Sequence, residues 1–535
     1  MIVGGLAALL GTTGINTAAL AQTGVGPVQT SQTQVATISG FKQAIAEAAA
    51  VDTALADFYA ARDYQPIWTT AEAADRRAAF FTALDRAGDH GLPLSRYDAE
   101  GLRAQFAAVN SERGRGKLEA QMSLAYLAYA QDLSSGVLTP AKVDPTIVRE
   151  ITPRDHGELM TGLAGADPAR FLASLGPQTP QYAQLQNSKM QLEDVIARGG
   201  WGPEVPLGKL APGAQGKAVV ALRNRLQALG YLGRSATAEY SGEVQSAVQQ
   251  FQIDMGLTSD GIAGESTLQA LNVGPQERLQ SVLVAMERLR WMNGAQMEGR
   301  YIWVNLPDFN VRIFDDHKMS FESVTVIGQN QGDRKTPEFS DEMEVMVINP
   351  TWHIPRSITV KEYLPMMQRN ANAAGHLKIY DSKGREVSRG NINFAQYSAR
   401  TFPYVMKQPP SDGNALGLVK FLFPNKYNIY LHDTPSKSLF TKEVRAFSHG
   451  CVRVQKPFEF AYALLGKQSD TPEKDFTTWL NSGRETTVKL EQKVPVHIVY
   501  FTAYPSVSGR MEYRRDIYGR DAMLWAALNK AGVEL

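Results

Sequence analysis

Cysteine is nearly missing from this sequence: Cys451 is the single example in 535 residues. A lone thiol has no partner in its own chain, so it is either a small buried hydrophobe or a group kept for its chemistry. An excess of one charge is missing too. Lys and Arg number 55 and Asp and Glu 54, a net charge of +1, which gives no field to draw the protein onto nucleic acid or an anionic membrane. Partners must be recognised locally. No apolar run is long enough to cross a bilayer, and no HExxH, CxxC or carboxylate cluster offers a metal its ligands. What is present, 44% hydrophobic and 20% charged residues with 45 Gly and 27 Pro, describes a globular chain long enough for about three domains.

The chain begins MIVGGLAALLGTTGINTAALAQT, apolar and small residues ending in Ala19-Leu20-Ala21 before Gln22. That A-x-A pattern predicts a signal peptide over 1–21 and hence export, although no Lys or Arg precedes Lys42 to supply the usual basic front. Residues 22–40 are polar and aperiodic and read as a flexible leader. From 41 to 200 the sequence is Ala-rich and helical in pattern, broken by HGLPLS and LTPAKVDP, which predicts a helical scaffold domain. WGPEVPLGKLAPG then opens a compact unit over 201–275. Val219, Leu222 and Leu226 make one helical stripe, Val244, Val248 and Phe251 a second, and Gly264-Glu265-Ser266 opens a third short helix. Residues 276–299 return to helix. Over 300–505 the texture changes to short alternating runs such as YIWVNLPDFNVRIFD and PVHIVYFTAY, a sheet domain, with an insertion at about 355–422 long enough to be a lid. Residues 506–535 form a C-terminal extension.

The thiol lies in this sheet domain, in SHGCVR. Fifteen residues earlier, the segment NKYNIYLHD reads as a strand with Tyr427, Ile429 and Leu431 on one face and Asn428, Tyr430 and His432 on the other. A free thiol titrates near 8.5 and an imidazole near 6.5, so in contact the two can share a proton as thiolate and imidazolium, at about neutral pH. Gly450 clears space beside the sulfur, and the amides of Gly450 and Cys451 are candidate donors to a developing oxyanion, each such donor typically contributing about 3 kcal/mol. His353 and His497 invite a zinc reading with His432, His449 and Cys451, which would make the chain a metallohydrolase.

Two resemblances follow from these residues. LRNRLQALGYLG, AVQQFQIDMGL and DGIAGESTLQALN together resemble the three-helix peptidoglycan-binding domain. His432, a spacer of fifteen, then Ser-His-Gly-Cys-Val-Arg resembles the signature of the L,D-transpeptidases of the YkuD type. With the helical scaffold and the insertion, the whole layout is similar to the large Gram-negative branch of that family. The resemblance implies a multidomain α+β protein whose catalytic domain is built on a β-sandwich with a lid insertion, and it implies a periplasmic location. It casts Cys451 as nucleophile, His432 as base, the Asp433 backbone carbonyl as the group orienting that base, and Gly450 as part of the catalytic turn. Ser448, His449, Arg453 and Tyr430 become candidate substrate contacts. The implied reaction takes a tetrapeptide stem as donor and the amine of a second stem's diaminopimelate as acceptor, through a thioester, to give a 3→3 cross-link. No metal or cofactor is implied, and carbapenems are expected to acylate Cys451. The alternative is a catalytically silent peptidoglycan-binding scaffold protein.

Overall fold

The computed structural model describes residues 38–506 and 508–535. The expected signal peptide and the leader through residue 37 lie outside the described residues. The scaffold begins with the helix Gly40–Ala49, capped by the Ser39 hydroxyl, which accepts from Lys42 N at 3.3 Å, and runs through the helix Pro180–Ala197. Its apolar stripes meet in a core around Trp68, Phe80, Tyr126 and Leu133. Inside that core Glu119 is fully buried yet satisfied. Its carboxylate accepts from the amides of Ile67 (2.6 Å), Trp68 (3.0 Å) and Thr69 (2.9 Å) and from the Tyr59 hydroxyl (2.9 Å), which offsets the cost of placing it there.

The compact unit holds three helices, Lys217–Ala228, Gly242–Asp254 and Glu265–Asn272. Its stripes share one core with the helix Pro275–Trp291 and with the C-terminal helix Arg520–Lys530. The unit is therefore packed onto the body of the molecule. Gln252 is buried at its centre. Its amide donates to Asp260 Oδ1 (3.0 Å), Ile262 O (3.0 Å) and Thr267 Oγ1 (3.1 Å) and its carbonyl accepts from Gly261 N (2.8 Å).

The sheet domain opens with β1 Arg300–Asn305, β2 Asn310–Asp315, β3 Lys318–Gly328 and β4 Phe339–Ile348. Three short strands follow in the insertion: β5 Trp352–His353, β6 Lys378–Tyr380 and β7 Val405–Gln408. β8 Val419–Leu422, β9 Leu431–His432, β10 Ala446–Ser448, β11 Val452–Val454 and β12 Thr486–Val499 then complete the main sheet. Its order is β10-β3-β11-β9-β8-β4-β12-β1-β2, and β2 pairs back onto β3. The faces of the expected sandwich are thus joined along their edges into one sheet that closes on itself, leaving little unpaired edge. Ile302, Val311, Met346, Phe421, Leu431 and Val452 point into its core. The helix Pro457–Leu465 covers one side, with Phe460 set edge-on to Phe421 at 4.7 Å between ring centroids.

The insertion is a folded subdomain. β5, β7 and β6 form its own three-stranded sheet over a separate core that includes Leu364, Met367, Phe394 and Phe402. It ends earlier than the sequence suggests. Val419 and Phe421 alternate inward, so β8 belongs to the main sheet, where it pairs with β4 and β9.

The C-terminal extension is structural as well. β13 Ala503–Pro505 and β14 Met511–Tyr513 form a hairpin. Beyond it, Arg520 is fully buried and pairs with Glu338 at 3.2 Å and Asp144 at 3.6 Å. Arg288, from the Pro275–Trp291 helix, joins the same group through Glu338 and through Asp521 at 3.3 Å. Buried ions of this kind persist only when paired. The cluster ties scaffold, sheet and C-terminal helix together.

Candidate active site

Cys451 sits in the turn between β10 and β11, and His432 ends β9. β9 and β11 run parallel, with Val452 opposite Leu431 and Arg453 opposite His432. Val452 and Leu431 are buried in the core, so their sequence neighbours face the other way. Tyr430, His432, Cys451 and Arg453 consequently line one cleft of about 740 Å³. Its opposite wall comes from the inserted subdomain, the expected lid, through Trp352, Ile358, Glu362 and Tyr363. A second cavity of about 720 Å³ lies where the scaffold meets the sheet, with Arg149 and Ser340 in its lining, and holds neither the thiol nor His432.

The alternation read over NKYNIYLHD holds only at its end. Asn425 turns the chain: its side-chain oxygen accepts from Tyr427 N and Ile429 N, both at 3.1 Å, and its amide donates to Ile429 O at 2.7 Å. An Asn side chain competes with the strand ladder in this way. Asn428 accordingly takes a left-handed φ of 54°. Its carbonyl meets the thiol, with Sγ to O at 3.5 Å.

His432 is oriented by the chain that follows it. Nδ1 lies 2.5 Å from the Asp433 carbonyl. A carbonyl only accepts, so Nδ1 carries the proton and Nε2 keeps its lone pair. The Asp433 carboxylate anchors the segment by accepting from Leu418 N at 2.9 Å and Lys437 Nζ at 2.5 Å.

The turn carrying Cys451 requires its glycine. Gly450 has φ 122°, and a Cβ there would meet Ile429 Cδ1 at 3.2 Å. Thr336 Oγ1 donates to the Gly450 carbonyl at 2.7 Å, and Arg520 donates to the Thr336 carbonyl at 2.9 Å. The C-terminal helix thus props the turn from behind, a role with no signal in the local sequence.

Two polar groups of this turn are engaged within it. Ser448 is buried, and its hydroxyl donates to Cys451 O at 2.5 Å and accepts from Gly450 N at 3.1 Å. It therefore shapes the turn, with its one proton spent inside it. By the same bond the Gly450 amide is engaged, which leaves the Cys451 amide as the oxyanion donor that the turn can offer.

The electrostatics also differ from a shared thiolate and imidazolium. Burial pushes the Cys451 thiol up to about 11, against the opposing influence of Tyr430 and Arg453. Burial pushes His432 down to about 3, and the charges of Arg453 and Lys420 add to the effect. Both displacements favour the neutral pair, and two cations beside the imidazole oppose a third charge there.

Of the remaining residues singled out from sequence, Tyr430 lies beside His432, with ring centroids 5.6 Å apart and the planes tilted by 59°. His449 reaches across to the lid, its Nε2 2.6 Å from Glu362 Oε1. Trp352 and His353 line the cleft from β5. His497 lies elsewhere, buried on β12 and bonded to Ser340 Oγ at 2.7 Å and Gln296 O at 2.9 Å, so the zinc set suggested by composition does not assemble. Sequence reasoning missed Lys420 and Glu362 in the cleft and Thr336 and Arg520 behind it. Lys420 had a signal, since Val419 to Leu422 alternates like the other strands.

Comparison with known proteins places these elements in families. Residues 53–188 match a "Scaffold domain", residues 215–271 a "Putative peptidoglycan binding domain", and residues 299–488 the L,D-transpeptidase catalytic domain. A Haemophilus influenzae protein described as a "Putative L,D-transpeptidase" is 33% identical over 225 residues, 42% of this chain; the match spans 45% of that relative's length. Among solved structures, an L,D-transpeptidase from Xylanimonas cellulosilytica covers 56% of this chain and 98% of its own at 15% identity, with a TM-score of 0.16. One from Stackebrandtia nassauensis covers 56% and 96% at 15% identity, with a TM-score of 0.21. The chain resembles L,D-transpeptidases that carry a peptidoglycan-binding domain.

Proposed function

We propose, from the premise that the sheet domain is of the L,D-transpeptidase type and stands beside a peptidoglycan-binding unit, that this chain is a cysteine L,D-transpeptidase forming 3→3 cross-links. The single observation that supports it most is the placement of the Cys451 thiol and the His432 imidazole on one face of adjacent parallel strands, in one cleft. In this reading the donor is a tetrapeptide stem of peptidoglycan. Sγ attacks the carbonyl carbon of the L,D bond as its proton passes to His432 Nε2. The Cys451 amide donates to the oxyanion. The C–N bond breaks, the leaving D-Ala nitrogen takes the proton from His432, and a thioester remains. The amine of a second stem's diaminopimelate attacks that thioester, gives its proton to the imidazole, and displaces the thiolate, which recovers the proton. One amide is broken and one made, so no external energy source is needed.

Because the resting pair is neutral, His432 acts as a general base during attack. Asp433 contributes through its carbonyl, which fixes the tautomer. Such an enzyme belongs in the cell envelope where peptidoglycan lies, in the periplasm. A strained β-lactam of the carbapenem class, whose carbonyl mimics the donor, acylates the same sulfur. Purified chain incubated with disaccharide tetrapeptides is expected to release D-Ala and accumulate 3→3 dimers, and a thioester of the donor on Cys451 should be visible by intact mass. Dimer formation at an undiminished rate by Cys451→Ala would end this reading.

A further inference from the structure

The cleft contains a row of charge that the reaction above does not use. Lys420 on β8 is in register with His432 on β9, which is in register with Arg453 on β11. Neighbouring strands lie 4.7–4.9 Å apart, so the two cations flank the imidazole across roughly 10 Å of sheet. Both line the cleft. The other ionic groups there are paired, Arg334 with Glu362 at 2.7 Å and Lys361 with Asp333 at 2.6 Å. Among the described residues, Lys420 and Arg453 have no such partner: desolvation dominates the environment of each, and the buried Arg453 Nε makes no hydrogen bond. Glu485, whose charge acts on Lys420, is turned aside to accept from Thr351 N at 2.5 Å.

Two desolvated, unpaired cations beside a reacting centre are costly unless an anion completes them. A planar guanidinium and a compact ammonium lining one cleft on either side of the imidazole suit a carboxylate, which can take two parallel bonds from the first and a point charge from the second. We propose that Lys420 and Arg453 form a clamp for a free carboxylate of the substrate peptide, seated on the cleft floor astride His432. This rests on the function proposed above. In the donor stem such a carboxylate occurs on the leaving D-Ala, one residue beyond the scissile carbonyl, and on the free end of diaminopimelate. A clamp gripping either one selects acidic stems over stems amidated at that position.

The test compares three donors, free acid, D-Ala carboxamide and diaminopimelate carboxamide, on the full chain and on Lys420→Met and Lys420→Arg. KM for the free-acid donor is expected to rise tenfold or more in Lys420→Met and to recover in large part in Lys420→Arg. One of the two carboxamides should show a raised KM with the native chain and little further change with Lys420→Met, which identifies the carboxylate that is gripped. If Lys420→Met weakens all three donors equally, or none, the clamp is wrong. Binding of the same peptides to Cys451→Ala, measured by calorimetry, reads the clamp without turnover. A native chain that prefers the free acid in binding but releases no D-Ala would overturn the proposed reaction and leave the clamp standing.

Discussion

Two stretches of this chain carry motifs specific enough to name a family, and the fold treats them in opposite ways. In the peptidoglycan-binding unit, the buried Gln252 joins the buried Thr267 to the exposed Asp260, and each polar atom of the Gln252 amide has a partner. In the cleft, the motif leaves polar groups open: the Cys451 thiol meets the Asn428 carbonyl at a loose 3.5 Å, and Arg453 Nε is buried without a bond. A satisfied motif builds a scaffold, whereas an unsatisfied one awaits a ligand. The three-helix signature therefore speaks for a fold, and a binding surface for glycan or stem peptide has to be sought on other residues of that unit.

The largest effects should come from the open motif. His432→Ala removes the proposed base and is expected to lower kcat/KM by 10²–10⁴-fold, measured as D-Ala release, with the unfolding midpoint little changed. Gln252→Leu is the reciprocal case. It strands Gly261 N and the groups that received the amide, and should cost about 2–3 kcal/mol in urea unfolding while the D-Ala release rate of the folded fraction stays within about twofold. If Gln252→Leu stops catalysis and leaves stability alone, the distinction between the two motifs collapses.

A pH series sharpens the contrast next. With His432 depressed to about 3 and Cys451 raised to about 11, kcat/KM should be level between those values, fall at low pH as the imidazole protonates, and change again only where the thiol ionises. Alkylation of Cys451 by iodoacetamide should accelerate steadily as pH rises through neutrality, whereas a preformed ion pair would give fast alkylation already at mildly acid pH. Stability moves in a related direction. His90 and His497 are both pushed down to about 4 by burial, so with His432 the folded chain resists protons that the unfolded chain accepts below about 6.5. That stability is fully present above the unfolded value and is lost as pH falls from there toward 3 to 4, on the order of 3 kcal/mol for a group displaced this far. Urea midpoints measured downward from pH 7 check the sign.

What the sequence disclosed and what it concealed follow from the range of the interactions involved. The helical stripes, the sheet texture and the His432 to Cys451 spacing are local patterns, and Val219, Leu226, Val244 and Phe251 lie in the core as their periodicity requires. Strand pairing is not local. Lys420 and Arg453 stand on opposite sides of His432 only because β8, β9 and β11 are neighbours, which no window of residues reveals. The same holds for Arg520, which steadies the Gly450 turn from the far end of the chain through Thr336. Charge state is hidden for a related reason: free-residue values for thiol and imidazole apply to water, while here burial and two cations bear on both groups. Ser448 shows the same limit from the other side, a hydroxyl in a reactive motif whose proton goes to the backbone of its own turn.

The smallest effect belongs to the contact between motif and lid. Glu362, on the irregular helical turn Thr359–Tyr363, accepts from Arg334 at 2.7 Å and lies 2.6 Å from His449. These groups are about one-third exposed, so solvent screens them and the bridge contributes less than about 1 kcal/mol. Glu362→Gln keeps the shape and removes the charge. Global stability should barely change, while amide exchange over the lid segment 355–369 should quicken by up to about fivefold, because that turn loses its charged tether to the sheet. The change should shrink as salt is added to the native chain, since screening already weakens the same bridge there. Unchanged exchange in Glu362→Gln would mean that the lid is held by its apolar contacts, with Trp352 and Tyr363 packed edge to face at 6.4 Å, and that His449 faces the cleft without help from the lid.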